Sequence, residues 1–184
     1  PGKRLGEKAV QGLLAEMKRR NIETHLGEKI LGFTASHVET ETAKLPADLI
    51  LFMPGLTGPK WAENTPQPLS SGGFFPADEF CAATGYEHTW VAGDAGSYPG
   101  PDWLPKQAHM ADLQARAAAE NLLLGLAGKP PVARPQPELI CIVDSVDSGI
   151  LVYRDLKRSI LFPGLRLFHW AKRYFEWHYL RAFR

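Results

Sequence analysis

Apolar and polar positions alternate along this chain with three different periods. Leu5, Ala9, Leu13, Leu14 and Met17 recur at helical spacing, with Glu7, Lys8, Glu16 and Lys18 between them. That spacing predicts an amphipathic helix ending near Arg20-Asn21. Residues 22–42 read as short strands in IETHL, KILGFT and HVETET. ADLILFM, residues 47–53, is a continuous apolar run stopped by Pro54-Gly55, as expected for a parallel-sheet strand buried on both faces. Residues 54–72, rich in Pro, Gly, Asn and Ser, predict a crossing between two subdomains. GFFPADEF (73–80) is a short extended piece, and HTWVAGD (88–94) is the next strand. Pro105 is expected at the first position of a long Ala-rich helix running to about Leu124 and stopping at Gly125 and Gly128. Lys129 to Pro137 is a Pro-rich linker. ELICIVDSV and GILVYRD then predict a β-hairpin turning at Asp147-Ser148-Gly149.

The last twenty residues return to helical spacing. On a helical wheel, Leu167, Phe168, Trp170, Ala171, Tyr174, Phe175, Trp177 and Tyr179 form one broad face. Arg166, His169, Lys172, Arg173 and Glu176 lie opposite, with Leu180 on the polar side and Arg181 at the apolar margin. Phe162-Pro163-Gly164 is expected to separate this helix from a preceding short helix. Aromatic residues opposite basic ones suit a helix lying in a lipid headgroup layer. The same pattern also suits a helix docked on the protein's own core or on a dimer partner.

Composition sharpens this picture. The 184 residues suffice for one ordinary domain or parts of two, and a formal net charge of +1 argues against a general nucleic-acid binder. The charge is unevenly spread, since between Leu156 and Arg184 seven Lys or Arg residues face only Glu176. Two cysteines, Cys81 and Cys141, do not make a secreted disulfide scaffold and suggest a reducing compartment. No apolar run approaches the ~20 residues that span a bilayer. No cluster of residue types suggests a metal site. The chain opens PGKRLGEKAV, with neither an initiator Met nor a signal-like segment, and is expected to be a piece of something longer.

The candidate chemistry sits at Gly93-Asp94-Ala95. In open α/β sheets, ligands bind beyond the carboxyl ends of strands, and Asp94 is expected at such an end. Gly93 and Gly96 let the backbone approach a ligand, and a carboxylate there can accept hydrogen bonds from sugar-like hydroxyls. The helix beginning near Pro105 offers free N–H groups and a partial positive charge, suited to a group that becomes anionic. Read alone, a Gly-Asp pair is more often a capped turn.

The whole pattern is more specific: strand, Gly-Asp, loop, Pro105-Lys106-Gln107, Ala-rich helix, Asn. This stretch resembles the second flavin-binding motif of the two-dinucleotide-binding-domain flavoproteins. These include the pyridine nucleotide–disulfide oxidoreductases, type II NADH dehydrogenases and sulfide:quinone oxidoreductases. GEKAVQGLLAEMKRRNIETHLGEKI resembles the later half of that family's second Rossmann-like domain, and ADLILFMPGLTGPKW its closing strand and switch-back. The resemblance implies an α/β, Rossmann-like fold that is incomplete in this chain, with a C-terminal β-hairpin and amphipathic helices. It implies the later half of the second, NAD-like domain over 1–72, the C-terminal half of the FAD domain over 73–130, and a hairpin with membrane-associating helices over 131–184. FAD is the implied cofactor, held by Gly93, Asp94, Ala95, Pro105, Lys106 and Gln107. Asp94 would meet the ribitol, and Lys106 and Gln107 the isoalloxazine. The family's GxGxxG motifs are absent from this sequence, so the chain alone is expected neither to hold FAD tightly nor to be active. Incomplete sheets would leave edges open to self-association, a homo-oligomer among the outcomes.

Cys141 is by itself an ordinary small buried hydrophobe. Pro105-Lys106 followed by Cys141-Ile142-Val143-Asp144 ahead of a hairpin resembles the sulfide:quinone branch. There the matching cysteine belongs to a redox pair that carries sulfur beside the flavin, its partner lying upstream. The resemblance therefore implies two-electron transfer to quinone from sulfide, with Cys141 as the catalytic residue. Gln107-Ala108-His109, where many sulfide enzymes have Thr-Gly, and the phrase VAGDAG keep NADH open as the donor. His109 is then either a proton relay near quinone or a helix-surface histidine, and Cys81 is structural. Both branches imply a bacterial-type, cytoplasmic-side or peripheral, monotopic protein docking through 156–184, with Phe162, Phe168 or Trp170 lining a quinone entrance. A non-catalytic membrane-binding piece is the remaining alternative.

Overall fold

Helices and three small sheets make a mixed α/β structure in the computed structural model, which describes residues 3–144 and 148–181. The chain divides into two compact units, one formed by Val10–Leu56 and the other by Thr57–Arg184 with the stretch ending at Ala9.

Helix α1 (Glu7–Arg19) places an acid in its first turn and Lys18 and Arg19 in its last, matching the helix dipole. It ends at Asn21, whose φ of 57° is left-handed. Bonds from Asn21 N to the Lys18 carbonyl (3.1 Å) and from Ile22 N to the Met17 carbonyl (2.9 Å) complete a Schellman cap.

In the first unit, β1 (Ile30–Phe33), β2 (His37–Thr40) and β3 (Lys44–Pro46) form an antiparallel meander, with Val38 opposite Leu45. IETHL is not a strand. Nor is the run 47–53, in which Leu49, Leu51 and Met53 are 75%, 82% and 90% exposed. A strand buried on both faces needs neighbours along both edges, and among the described residues the run bonds a neighbouring backbone only at its start, where Ala47 N donates to Ser36 O at 2.9 Å. Phe52 instead leans on Phe33, ring centroids 4.8 Å apart.

In the second unit, β4 (Phe75–Pro76) lies parallel to β5 (Gly96–Ser97). The expected strand at 88–94 makes only a bridge between Trp90 and Ala82 before turning into a single 3₁₀ turn at Gly93–Ala95. Helix α2 (Ala108–Leu126) starts three residues after Pro105, because Gln107, its N-cap, is still extended at φ −143° and ψ 153°. It closes with a second Schellman cap on Gly128 (φ +69°), with Gly128 N bonding Gly125 O and Lys129 N bonding Leu124 O.

Asn121, 1% exposed, ties the Pro-rich linker to α2. Its amide donates to the carbonyls of Phe80 (2.9 Å) and Ala133 (2.8 Å), and its carbonyl accepts from Val132 N and Ala133 N, both at 2.9 Å. Strands β6 (Leu139–Asp144) and β7 (Gly149–Arg154) form the expected hairpin with Asp144 opposite Gly149. Of the expected turn, Asp147 lies outside the described residues. A third strand, β8 (Ser159–Leu165), stands where a short helix was expected. Asp155 closes the β7–β8 turn by accepting from Lys157 N (2.7 Å) and Arg158 N (2.6 Å). Pro163 and Gly164 fall at a register shift on this sheet-edge strand, where a missing N–H is tolerated.

Helix α3 (Arg166–Arg181) follows directly, and residues 182–184 lie outside the described residues. Half-buried Phe168, His169, Lys172 and Tyr179 turn inward, so the predicted apolar face is divided. Leu167, Trp170, Tyr174 and Trp177 point away, each more than half exposed. No helix among the described residues is long and apolar enough to cross a membrane.

Candidate functional site

The turn Gly93–Ala95 and the segment leading into α2 face one another across a cavity of about 280 Å³. Gly93 holds a φ of +70°, and a Cβ there would lie 3.3 Å from the Cβ of Ala111. Its N–H donates to the side-chain carbonyl of buried Gln114 at 3.0 Å. The Tyr98 hydroxyl donates to its carbonyl at 3.3 Å. The next turn is fixed by Lys106, whose ammonium donates to the carbonyls of Asp94 (2.8 Å) and Gly96 (2.6 Å) and sits 4.0 Å above the Phe74 ring.

Burial lowers the Lys106 pKa. The Asp94 carboxylate opposes that shift and the Arg4 guanidinium adds to it. The Tyr98 hydroxyl is pushed well above its ordinary value, chiefly by burial and further by Cys81 and Asp94. Asp94 itself is exposed, its carboxylate unclaimed by the lysine, which binds main-chain oxygen instead.

Two further features leave hydrogen-bonding capacity open at this cavity. The first turn of α2 has no side-chain cap, so its N–H groups and their positive end of the dipole face outward. The Gln107 Oε1 atom is buried without a partner among the described residues. An unpartnered buried acceptor is rare in proteins.

Five of the sequence-selected residues, Gly93, Asp94, Pro105, Lys106 and Gln107, thus line one cavity. Ala95 lies on the other side of the turn, against a separate cavity walled by Trp61, Phe75, Tyr86 and Trp90. Sequence reasoning missed Gln114, Tyr98 and Arg4. Gln114 follows Gln107 and Met110 at helical spacing on the same face of α2, a signal that was present but masked by its polar character.

Cys141 lies apart from this cavity, half-buried on β6 opposite Val152. Burial raises its thiol pKa, and Lys172 on α3 pulls it partly back. Cys81 is fully buried, with a φ of 65°, against Ala117 and Ala118 of α2. Its thiol is pushed up to about 11 by burial and by Asp78. His109 pairs with Glu138, the residue preceding β6, and Glu138 N donates to Met110 Sδ at 3.4 Å. These contacts bind the first turn of α2 to the start of β6. Across the sheet, His169 on α3 meets Asp144 at 3.0 Å, and Tyr179 donates to Asp112 on α2 at 3.3 Å.

This is a mixed α/β chain with a ligand-sized cavity between a carboxylate-bearing turn and a helix N-terminus. Among solved structures it is similar to the X-ray structure of the sulfide:quinone oxidoreductase from the hyperthermophilic bacterium Aquifex aeolicus, with a TM-score of 0.85 and 19% identity. The match covers 97% of this chain and 46% of that one. The chain has the fold of the matching part of that oxidoreductase, and it spans less than half of that protein's length. No family model matches the sequence.

Proposed function

We propose that this chain is the C-terminal part of a membrane-associated, FAD-dependent oxidoreductase that passes two electrons to quinone, with sulfide as the donor. The observation that carries the reading is the meeting of the Asp94 turn, Lys106 and the uncapped start of α2 at one cavity. In this reading residues 1–72 belong to a second nucleotide-binding domain, 73–130 to the FAD domain, and 131–184 to a sheet and helix that meet the bilayer.

The residues present fit one end of FAD. Asp94 offers an exposed carboxylate for ribitol hydroxyls, and the orphaned Gln107 Oε1 suits a ring N–H. The N–H groups opening α2 suit the electron-rich ring edge. Bound FAD would supply the two-electron chemistry. Lys106 holds the turn, and its positive charge would favour negative charge on a ring bound at this cavity. No GxGxxG cradle for the pyrophosphate exists in this sequence. The 184-residue chain is therefore expected to lose FAD on gel filtration, and stoichiometric retention would contradict this part of the reading.

Cys141 would exchange sulfur with a second cysteine upstream, a step that needs a thiolate. A second reading, in which NADH is the donor and Cys141 is idle, draws support from the raised thiol pKa of Cys141. The exposed face of α3 supports monotopic docking in either reading. The test uses the complete polypeptide, anaerobically, following flavin absorbance. Bleaching by sulfide that is lost in Cys141→Ser supports the first reading. Bleaching by NADH that survives the substitution supports the second.

A further inference from the structure

Helix α3 is seated the opposite way from an ordinary amphipathic helix on a globular core. Its inward residues include His169, Lys172 and Tyr179, which reach Asp144, the surroundings of Cys141, and Asp112. Its outward stripe is Leu167, Trp170, Tyr174 and Trp177, exposed by 68%, 60%, 65% and 54%. On the neighbouring sheet Phe162 and Ile160 of β8 are exposed as well, Phe162 touching the half-buried Phe168 with ring centroids 5.8 Å apart.

The charge on this face has one sign. Arg173 stacks over Trp170 at 5.5 Å and Arg181 over Trp177 at 4.4 Å, so two outward indoles each carry a guanidinium. Arg166 opens the helix, and exposed Lys157 and Arg158 sit at the β7–β8 turn. Among the described residues, Asp144 and Asp112 meet the inward side of α3 through His169 and Tyr179, and Asp155 and Glu176 are directed elsewhere. Asp155 is bonded into its own turn by Lys157 N, Tyr153 and Arg158 N, which in that order hold its pKa below the ordinary value. Glu176 lies about 140° around α3 from the centre of the stripe, at roughly 100° per residue.

From this arrangement we infer that the face recognises the anionic headgroups of a lipid bilayer, a selectivity that rests on the membrane reading above and goes beyond it. Indole rings sit at the headgroup level, and a guanidinium stacked on each is held where lipid phosphates and added anionic charge lie. Neutral lipid would satisfy the stripe but not the cations along it. A second copy of the chain would bring like charges against them.

Flotation of the chain with vesicles tests this. Phosphatidylcholine vesicles are compared with vesicles in which part of that lipid is replaced by phosphatidylglycerol. Binding should be at least about tenfold tighter to the anionic vesicles and should weaken steeply with salt. The double variant Arg173→Glu/Arg181→Glu should lose that preference while retaining binding to phosphatidylcholine. Trp170→Ser/Trp177→Ser should lose both, with an unchanged far-ultraviolet spectrum showing that each variant folds. Equal wild-type binding to the two vesicles would overturn the headgroup assignment and leave membrane docking standing. Retention of the preference in the arginine variant would overturn the role of those residues. Binding to neither vesicle would sink the membrane reading as well, and a dimer in sedimentation that Trp170→Ser/Trp177→Ser disperses would name a second copy as the occupant.

Discussion

The Lys106 ammonium nitrogen stands 2.8 Å from the carbonyl oxygen of Asp94, a residue twelve positions earlier, and 2.6 Å from that of Gly96. One side chain from the approach to α2 therefore fixes the turn that carries the candidate carboxylate. Lys106→Met keeps the length but leaves both carbonyls without their donor. It should cost about 1–2 kcal/mol in urea unfolding. The pH dependence has a definite sign. Burial lowers the folded-state pKa of Lys106, so the unfolded chain binds that proton more tightly. This group's contribution to stability should rise as pH climbs from the lowered value towards 10.5. The variant should lack that rise, and an identical alkaline slope in both proteins would contradict the account.

Asn121 makes four hydrogen bonds in a site that is 1% exposed. Asn121→Leu fills similar volume but strands two carbonyls and two N–H groups. A loss of roughly 3–5 kcal/mol is expected. Asn121→Asp keeps the acceptor but sets a buried carboxylate oxygen against the carbonyls of Phe80 and Ala133, so it should be at least as damaging as Leu. Denaturant midpoints of the three proteins would check the order.

The two cysteines should differ in reactivity. Cys81 is fully buried with its thiol pushed up to about 11. It should be alkylated only as the chain unfolds, because the thiolate is the nucleophile. Cys141 is half-buried and should react earlier, though more slowly than a free thiol. Lys172 lowers the Cys141 pKa against the effect of burial, so Lys172→Met should slow alkylation of Cys141 and leave Cys81 unchanged. Mass spectrometry of the labelled peptides would separate the two sites.

What could be read in advance depended on whether the forces were local. The ends of α1 and α2 were legible because Asn21 and Gly128 are chemical stop signals acting within one turn. Only the resemblance put Asp94 and Lys106 in one site, and the bonds from Lys106 to the carbonyls of Asp94 and Gly96 were not foreseen, because they join side chain to main chain across a loop. The run 47–53 was misread because its strand character depends on neighbours, and among the described residues none pairs with it beyond Ala47. Strand β8 was missed because Pro163 and Gly164 look like a break, whereas a register shift at the sheet edge accommodates them. The wheel gave the composition of α3 but not its orientation. Only the contacts of His169 and Tyr179 show which side faces inward.

Glu16 bonds Arg19 at 2.7 Å and Arg20 at 2.6 Å at the end of α1. The hydrogen bonds from Arg19 and then Arg20 hold its pKa at about 2, below its ordinary value of 4.5. A carboxylate with a depressed folded pKa contributes stability above its unfolded pKa and loses it as pH falls through the folded one. The last turn of α1 should therefore fray between about pH 4.5 and 2. Glu16→Gln should remove that acid transition, as followed by amide chemical shifts of Lys18 to Asn21.

Gly93 is constrained twice, by its φ of +70° and by the methyl of Ala111 waiting 3.3 Å from any added Cβ. Gly93→Ala meets both penalties. The backbone part is about 1–2 kcal/mol, and the close contact adds to it because α2 must yield by a few tenths of an ångström. Ala111→Gly removes the methyl and should rescue only the contact part. The double variant should therefore be more stable than the sum of the two single changes predicts, yet less stable than Ala111→Gly alone. The difference between those two proteins isolates the left-handed strain at Gly93. Simple additivity in this double-mutant cycle would mean that turn and helix do not touch in solution, and α2 would then lose its role in setting the Asp94 carboxylate.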